Sequence, residues 1–354
     1  LIPLTFMRRY SSARFRHTHA SLGAGWVNDF EQRIEAGERS HTLFAGDGRT
    51  IYFEPIAVGQ STFHRRERMT LMREGATDFR MADAKNGLVT RFRALVADGA
   101  SQVLSVSDAY GNSVDYGYSA GKLDSVRDTA GRVVVVRWRG SRIIRLEVVV
   151  GNSVELWVDY EYTDDGNLAA ACNALGHADE YEYDGYGRMV AATTKNGARF
   201  QYAYDSDSGR CARTWGPQGV YALELEYDST GRRTFVHGEE SRIIEWADLP
   251  GYARRESLLD GTVLEEAAYD DDGFLIAKVN GAGEGTKYWF DAEGHEVRRV
   301  DPTGGVTAFD IDAYGCPARR VEPNGNVTTL VYDDKRALLR ATHPNGKVCL
   351  LYTS

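Results

Sequence analysis

Eight histidines, four cysteines and many acidic turns are the residues of this chain that could do chemistry. His17, His19, His41, His64, His177, His237, His295 and His343 are scattered, and no HExxH pair is present to hold a catalytic zinc. His17 and His19 lie two apart on one strand face and read as a solvated pair. Serine hydrolysis needs a nucleophile on a tight elbow beside a base, but there is no GxSxG, and Gly111-Asn112-Ser113-Val114-Asp115 reads as a turn entering a strand. Asp270-Asp271-Asp272-Gly273 and Asp205-Ser206-Asp207-Ser208-Gly209 superficially resemble calcium loops, yet the bidentate glutamate that should follow the glycine is missing. Turn formation accounts for them. Cys172, Cys211, Cys316 and Cys349 lack CxxC spacing and suggest neither a zinc knot nor a disulfide framework. The residues therefore read as no enzyme, no metal site and no cofactor site.

The acids instead mark a period. The residues Tyr162, Tyr183, Tyr204, Tyr227, Trp246, Tyr269, Phe290, Ile311 and Tyr332 recur at about 21 residues, and Asp184, Asp205, Asp228, Asp270, Asp291, Asp312 and Asp333 directly follow seven of them. Gly187, Gly231, Gly273, Gly294 and Gly315 come three residues after their aspartates, with Gly209 one place late. In this turn Asp supplies an acceptor for its own backbone, and Gly takes a positive φ that burdens any residue with a Cβ. Half a period on stands a second turn, Asn196-Gly197, Asp260-Gly261, Thr303-Gly304, Asn324-Gly325 or Asn345-Gly346, and Asn-Gly is the strong short-hairpin signal. Each period is thus two turns and two strands. One such hairpin cannot stabilise itself, so successive hairpins must pair edge to edge, with equivalent tyrosines side by side. A glycine roughly every ten residues excludes an amphipathic helix. The pattern has departures: Trp246-Ala247-Asp248 shifts the acid, Arg336 stands in a glycine slot, and ahead of Asp128-Thr129-Ala130-Gly131 the register loosens.

Composition agrees with this reading. Among 354 residues there are 37 Gly but only 8 Pro, which fits frequent turns rather than a disordered tract, and Tyr is the commonest aromatic at 20. A net charge of −9 argues against a dedicated nucleic-acid binder. Arg8, Arg9, Arg14 and Arg16 read as a solvated strand face. No stretch is apolar enough for a membrane-spanning helix.

A Tyr-Asp phrase with Gly-Arg downstream resembles the Rhs or YD repeat, whose signature is approximately YDxxGRL. Tyr183-Asp184-Gly185-Tyr186-Gly187-Arg188-Met189 is the nearest copy, followed by Tyr227-Asp228-Ser229-Thr230-Gly231-Arg232; Tyr204-Asp205 runs on to Gly209-Arg210. The opening, with Arg8, Tyr10, Ser11 and Ser12 and then Gly23, Gly25 and Trp26, is similar to the start of Rhs cores. The resemblance implies an all-β, spiralling antiparallel sheet of about 21-residue hairpins, forming part of a hollow shell. It further implies a structural segment of a bacterial polymorphic toxin, secreted or at the cell surface, enclosing a C-terminal toxic domain. The implied partners are that cargo, a type VI secretion spike or toxin-complex component, and a chaperone, with no nucleic acid. Family members cleave themselves near a DPxG phrase, but Asp301-Pro302-Thr303-Gly304 occupies an ordinary second-turn slot and reads as a turn.

The expected organisation is a β-rich opening over 1–105, degenerate repeats over 106–159, regular repeats over 160–347 and a non-native tail over 348–354, since CLLYTS is what a sequencing-transposon end encodes. The rival function is a YD-repeat surface protein that binds carbohydrate or a receptor. Open exposure of Tyr181, Tyr183, Tyr202 and Tyr204 would favour that rival, and burial between repeats would disfavour it.

Overall fold

The computed structural model describes the chain apart from residues 15–19, 96–98, 152, 229, 231, 250 and 351–354, and apart from the side chains of 248, 249, 251 and 252. His17, His19, Arg16 and Gly231 thus lie outside the described residues. Among the described residues the chain forms antiparallel strands joined by turns, with two short 3-10 turns at Ser12–Arg14 and Pro217–Gly219. No helix of the described residues is long and apolar enough to cross a membrane.

The turns fold as their residues require. Asp184 Oδ1 accepts from the amides of Tyr186 (3.0 Å) and Arg188 (2.9 Å), and Gly187, at φ +80°, donates back to the Asp184 carbonyl at 3.0 Å. The Asp184 amide closes the loop onto the Arg188 carbonyl at 2.9 Å. Half a period later the same bonds recur: Thr194 donates to the Ala198 carbonyl and Gly197 to that of Thr194, both at 2.8 Å, with Gly197 at φ +81°. The Asn-Gly turns are therefore not two-residue hairpins. They are three-residue loops, a type I turn closed by a glycine in the left-handed region, and both ends of the sheet use one device.

What separates the two ends is register. Pairing slips by one residue at the aromatic of the phrase, between Glu161 and Tyr162, Glu182 and Tyr183, Ala203 and Tyr204, Ala268 and Tyr269, Trp289 and Phe290, Asp310 and Ile311, and Val331 and Tyr332. The opposite turns at 173–177, 194–198, 280–284, 301–305, 322–326 and 343–347 are flanked by pairing without a slip. In these periods the β-bulge lies on one edge, where it sharpens the local twist, and the turn at 258–262 departs from them with a slip between Glu256 and Ser257.

The chain divides into two compact units, one of Leu1–Phe63 with Met69–Glu224 and one of His64–Arg68 with Leu225–Ser354. In the first unit, strand Arg33–Ala36 pairs with both His41–Phe44 and Ser101–Ser107, so this stretch folds back on itself. It encloses Ile34, Leu43, Leu71, Phe79, Phe92 and Val103, all essentially solvent-free. A second core of the same unit gathers Trp26, Phe30, Val126, Val134, Ile143, Leu146, Leu168 and Met189. The second unit runs as consecutive hairpins from Arg233–His237 to Val348–Leu350, whose strand pairs in register with Leu338–Thr342.

Arg336 takes the glycine slot after Asp333, at φ +67°, with its amide on the Asp333 carbonyl at 3.0 Å. A left-handed conformation costs a Cβ-bearing residue about 1–2 kcal/mol. Gly187→Val should therefore destabilise the chain by about 1–3 kcal/mol, whereas Arg336→Gly should stabilise it by about 1 kcal/mol. Urea unfolding midpoints that move in these opposite directions would establish the turn geometry; a shift of the same sign for both would refute it.

Candidate functional site: the N-terminal segment on the YD turns

The residues of the YD phrase are used to join one hairpin to the next. Tyr204 donates its hydroxyl to the carbonyl of Met189, at 2.7 Å, which is the first residue after the preceding Tyr183-Asp184-Gly187-Arg188 turn. Tyr118 does the same to Val103 (2.8 Å), the Trp138 indole to Leu123 (2.6 Å), and Tyr162 to Ile143. Arg188 bonds Asp184 through Nε at 2.8 Å, and its guanidinium lies 4.6 Å from the centre of the Tyr204 ring and 4.9 Å from that of Tyr186. Neighbouring repeats are thus tied by a hydrogen bond and a cation–π contact. Asp184 and Gly187 shape the turn that presents Arg188.

The N-terminal segment docks on this row. Tyr10 accepts, at its hydroxyl, the Met189 amide at 2.8 Å, so both backbone groups of Met189 are held from outside its own hairpin. Trp26 donates its indole N–H to the Tyr183 hydroxyl at 2.9 Å and meets the Tyr181 ring edge-on, with centroids 4.9 Å apart. Arg8 donates to Asp179 Oδ2 at 2.7 Å and to the Tyr181 hydroxyl at 3.2 Å. Gly23 passes so close to the Gly166 turn that a Cβ would stand 2.9 Å from the Gly166 carbonyl oxygen. Arg142 bridges the two segments, donating to Gly166 O (3.0 Å) and Ala20 O (3.1 Å). Ser11 braces the segment by donating its amide to the Gly25 carbonyl at 3.0 Å.

Burial pushes the pKa values of Tyr118, Tyr160, Tyr162, Tyr183 and Tyr204 well above the ordinary phenol value. These hydroxyls stay protonated, and where bonded they donate to carbonyls or accept from Trp26. For Arg8, burial works against the charge, but Tyr181 and Asp179 outweigh it and hold its pKa raised. The arrangement has donors and acceptors in mutual use, with no nucleophile set beside a base.

Two sets of residues that the sequence treats separately are brought together: Arg8, Tyr10, Gly23 and Trp26 with Tyr183, Asp184, Gly187, Arg188 and Tyr204. The basic cluster is corrected in part, because Arg8 and Arg9 are paired, with Asp179 and Asp29 at 2.7 Å each, rather than simply solvated. Asp205, Asp228, Asp270, Asp291, Asp312 and Asp333 each accept backbone amides of their own turns. In the acidic run, Asp270 and Asp272 face Arg65. Asp301 Oδ1 accepts from the Thr303 and Gly305 amides, both at 2.9 Å, as a turn residue does. Sequence reasoning did not single out Asp179, Arg142 or the Met189 backbone. Each has one partner more than a hundred residues away, Arg8 for Asp179, Ala20 for Arg142 and Tyr10 for Met189, and such a contact leaves no local signal. Tyr181, Tyr183, Tyr202 and Tyr204 are half-buried, and all but Tyr202 have their hydroxyls engaged.

Two families match. A domain of unknown function, DUF6531, matches residues 1–53, and the RHS repeat matches residues 162–199. The chain therefore carries the RHS repeat that its YD phrases imply. No curated protein matches it. Among solved structures, the chain is similar to TcdB2-TccC3-TEV (11% identity, 86% of this chain and 20% of that one, TM-score 0.45). It is also similar to TcdB2-TccC3 (10%, 89% and 21%, TM-score 0.41) and to the Photorhabdus luminescens Tc holotoxin pore (11%, 86% and 18%, TM-score 0.41). The chain spans about a fifth of the length of these chains.

Trp26→Phe keeps the ring but strands the buried Tyr183 hydroxyl, and should cost about 1–2 kcal/mol in equilibrium unfolding. No loss would show that the bond is not formed. A second expectation concerns alkali. A tyrosine whose folded pKa is raised contributes stability that is complete below the unfolded value of about 10 and is lost as pH rises toward the folded value. Stability should therefore fall as pH rises above about 10, with the 295 nm tyrosinate signal of these residues appearing together with unfolding. Full ionisation of every tyrosine in a still-folded chain would contradict this.

Proposed function

We propose that this chain is a wall segment of an RHS-type shell, a structural part of a secreted bacterial toxin that encloses a C-terminal toxic domain. The observation that carries the reading is the Tyr204–Met189–Tyr10 node. The signature residues around it are spent on sealing one hairpin to the next and to the N-terminal segment, which is what a continuous wall needs and a binding or catalytic site does not. Two further features support it: the RHS repeat itself and its pairing with the DUF6531 opening. The mechanism is exclusion, since joined strands leave no gap through which cargo meets the cell that makes it. Delivery in this reading uses a toxin-complex partner or a type VI secretion spike, with a chaperone loading the cargo. The half-burial of Tyr181, Tyr183, Tyr202 and Tyr204 favours this reading over carbohydrate or receptor binding.

Protection tests it. In a gene product that joins this chain to a C-terminal domain, that domain should resist added protease, and should be cut several-fold faster once Trp26→Ala and Tyr204→Ala loosen the wall. Equal cutting in native and variant protein would overturn the shell reading. Saturable glycan binding that is lost in Tyr181→Ala would instead favour the surface-binding rival.

A further inference from the structure

We propose that residues 64–68 are a basic clamp that fixes the spacing of consecutive turns in the second unit, with Arg65 as its positioning residue. These five residues, His64–Arg68, belong to that unit, although they stand far ahead of it in sequence. Their turn is of the same class as the YD turns, because the Arg68 amide donates to the Arg65 carbonyl at 3.2 Å and Arg68 takes the left-handed conformation, φ +54°, that glycine takes elsewhere. Arg68 thus carries the same left-handed strain as Arg336.

The guanidinium of Arg65 spans two periods. Nε and Nη2 donate to the Asp291 carbonyl at 3.2 and 2.9 Å, while Nη1 donates to Asp270 Oδ2 at 3.3 Å and to Asp272 Oδ2. Asp270 and Asp291 are equivalent residues of successive repeats, 21 apart, and equivalent strands two steps along a sheet lie roughly 10 Å from one another. One rigid planar fork that bonds both turns therefore sets the distance between them. A lysine, a point charge on a flexible stem, could not. The same guanidinium lies 4.7 Å from the centre of the Phe274 ring, which packs on Phe290 at 4.8 Å, so the aromatics of the two periods are held by the same group.

The turn glycines make room for the clamp. A Cβ on Gly294 would lie 2.7 Å from Phe274 and 3.1 Å from the Arg65 carbonyl oxygen, and one on Gly273 would lie 2.9 Å from the Arg66 guanidinium. The next period is reached by Arg68, whose Nη2 lies 3.7 Å from the Cβ position of Gly315. The turn 65–68 thus meets three successive turn glycines, Arg66 at Gly273, the Arg65 carbonyl at Gly294, and Arg68 at Gly315, where His295 stands nearer. A solvated surface pair would not be threaded in this way.

Hydrogen exchange read by mass spectrometry on the full chain tests the clamp. Arg65→Ala should speed exchange in the turns at 270–274 and 291–295 by about tenfold, the loss expected of charge-assisted bonds, while the turns at 184–188 and 322–326 stay within about twofold. Arg65→Lys, which keeps the charge and loses the fork, should behave like Arg65→Ala. Unchanged exchange at 270–295, or an equal rise in all four turns, would overturn the proposal, as would full rescue by lysine. If Arg65→Ala fails to fold, Asp272→Asn removes one carboxylate and leaves Asp270 and the Asp291 carbonyl. It should give a smaller rise confined to the same two turns, and no local rise there would be equally fatal.

Discussion

The β-bulge beside Tyr162, Tyr183, Tyr204, Tyr269, Phe290, Ile311 and Tyr332 is the constraint on which the regular repeats depend. Every backbone donor and acceptor that a bulge takes out of the ladder must find a partner elsewhere or carry a desolvation cost. At Met189 both groups are answered from outside its own hairpin, the carbonyl by Tyr204 of the following repeat and the amide by Tyr10 of the N-terminal segment. Met189 pairs with Tyr183 beside the skipped Val190, and there the next repeat and the N-terminal segment hold the strand. That dependence makes a chain of marginal hairpins into one object.

Each letter of the repeated phrase has a separate physical task within this scheme. Tyrosine reaches backward with its hydroxyl, aspartate gathers the amides of its own turn, glycine allows the left-handed step, and arginine links its own aspartate to the tyrosine ahead. In the copy around Asp184, Arg188 and Tyr204 these groups bond one another and their own turn.

The two units solve the same problem with different means. The largest fully buried side chains, among them Phe79, Phe92, Leu22 and Ile143, all belong to the first unit, where the N-terminal segment supplies a second layer. In the second unit the buried hydrophobic positions among the described residues are Val236, Ala267, Cys316 and Ala341, which are small. Side-chain ties such as Arg242–Glu256 and Lys278–Glu265, both 2.7 Å, span its strands, and half-exposed pairs of this kind contribute little each. An arginine clamp across its turns matters more in such a thin unit than it would over a deep core.

Much of this was legible in the residues. The period, the strand content and the turn at Tyr183-Asp184-Gly187-Arg188 follow from local rules, because a type I turn, a left-handed glycine and strand alternation are decided within a few residues. Even Arg336 announced itself, as the wrong residue in a glycine slot, and it adopts the conformation that slot requires. Other features could not be read in this way. The Asn196-Gly197 phrase suggested a tighter hairpin than the three-residue loop it forms, and Arg8 looked like a solvated charge. Local turn and strand rules make this chain a row of hairpins. Long-range packing sets Tyr10 and Trp26 on Met189 and Tyr183, and Arg65 on Asp270 and Asp291. Those contacts join residues more than 150 positions apart, and no local preference encodes which turn a distant side chain will meet.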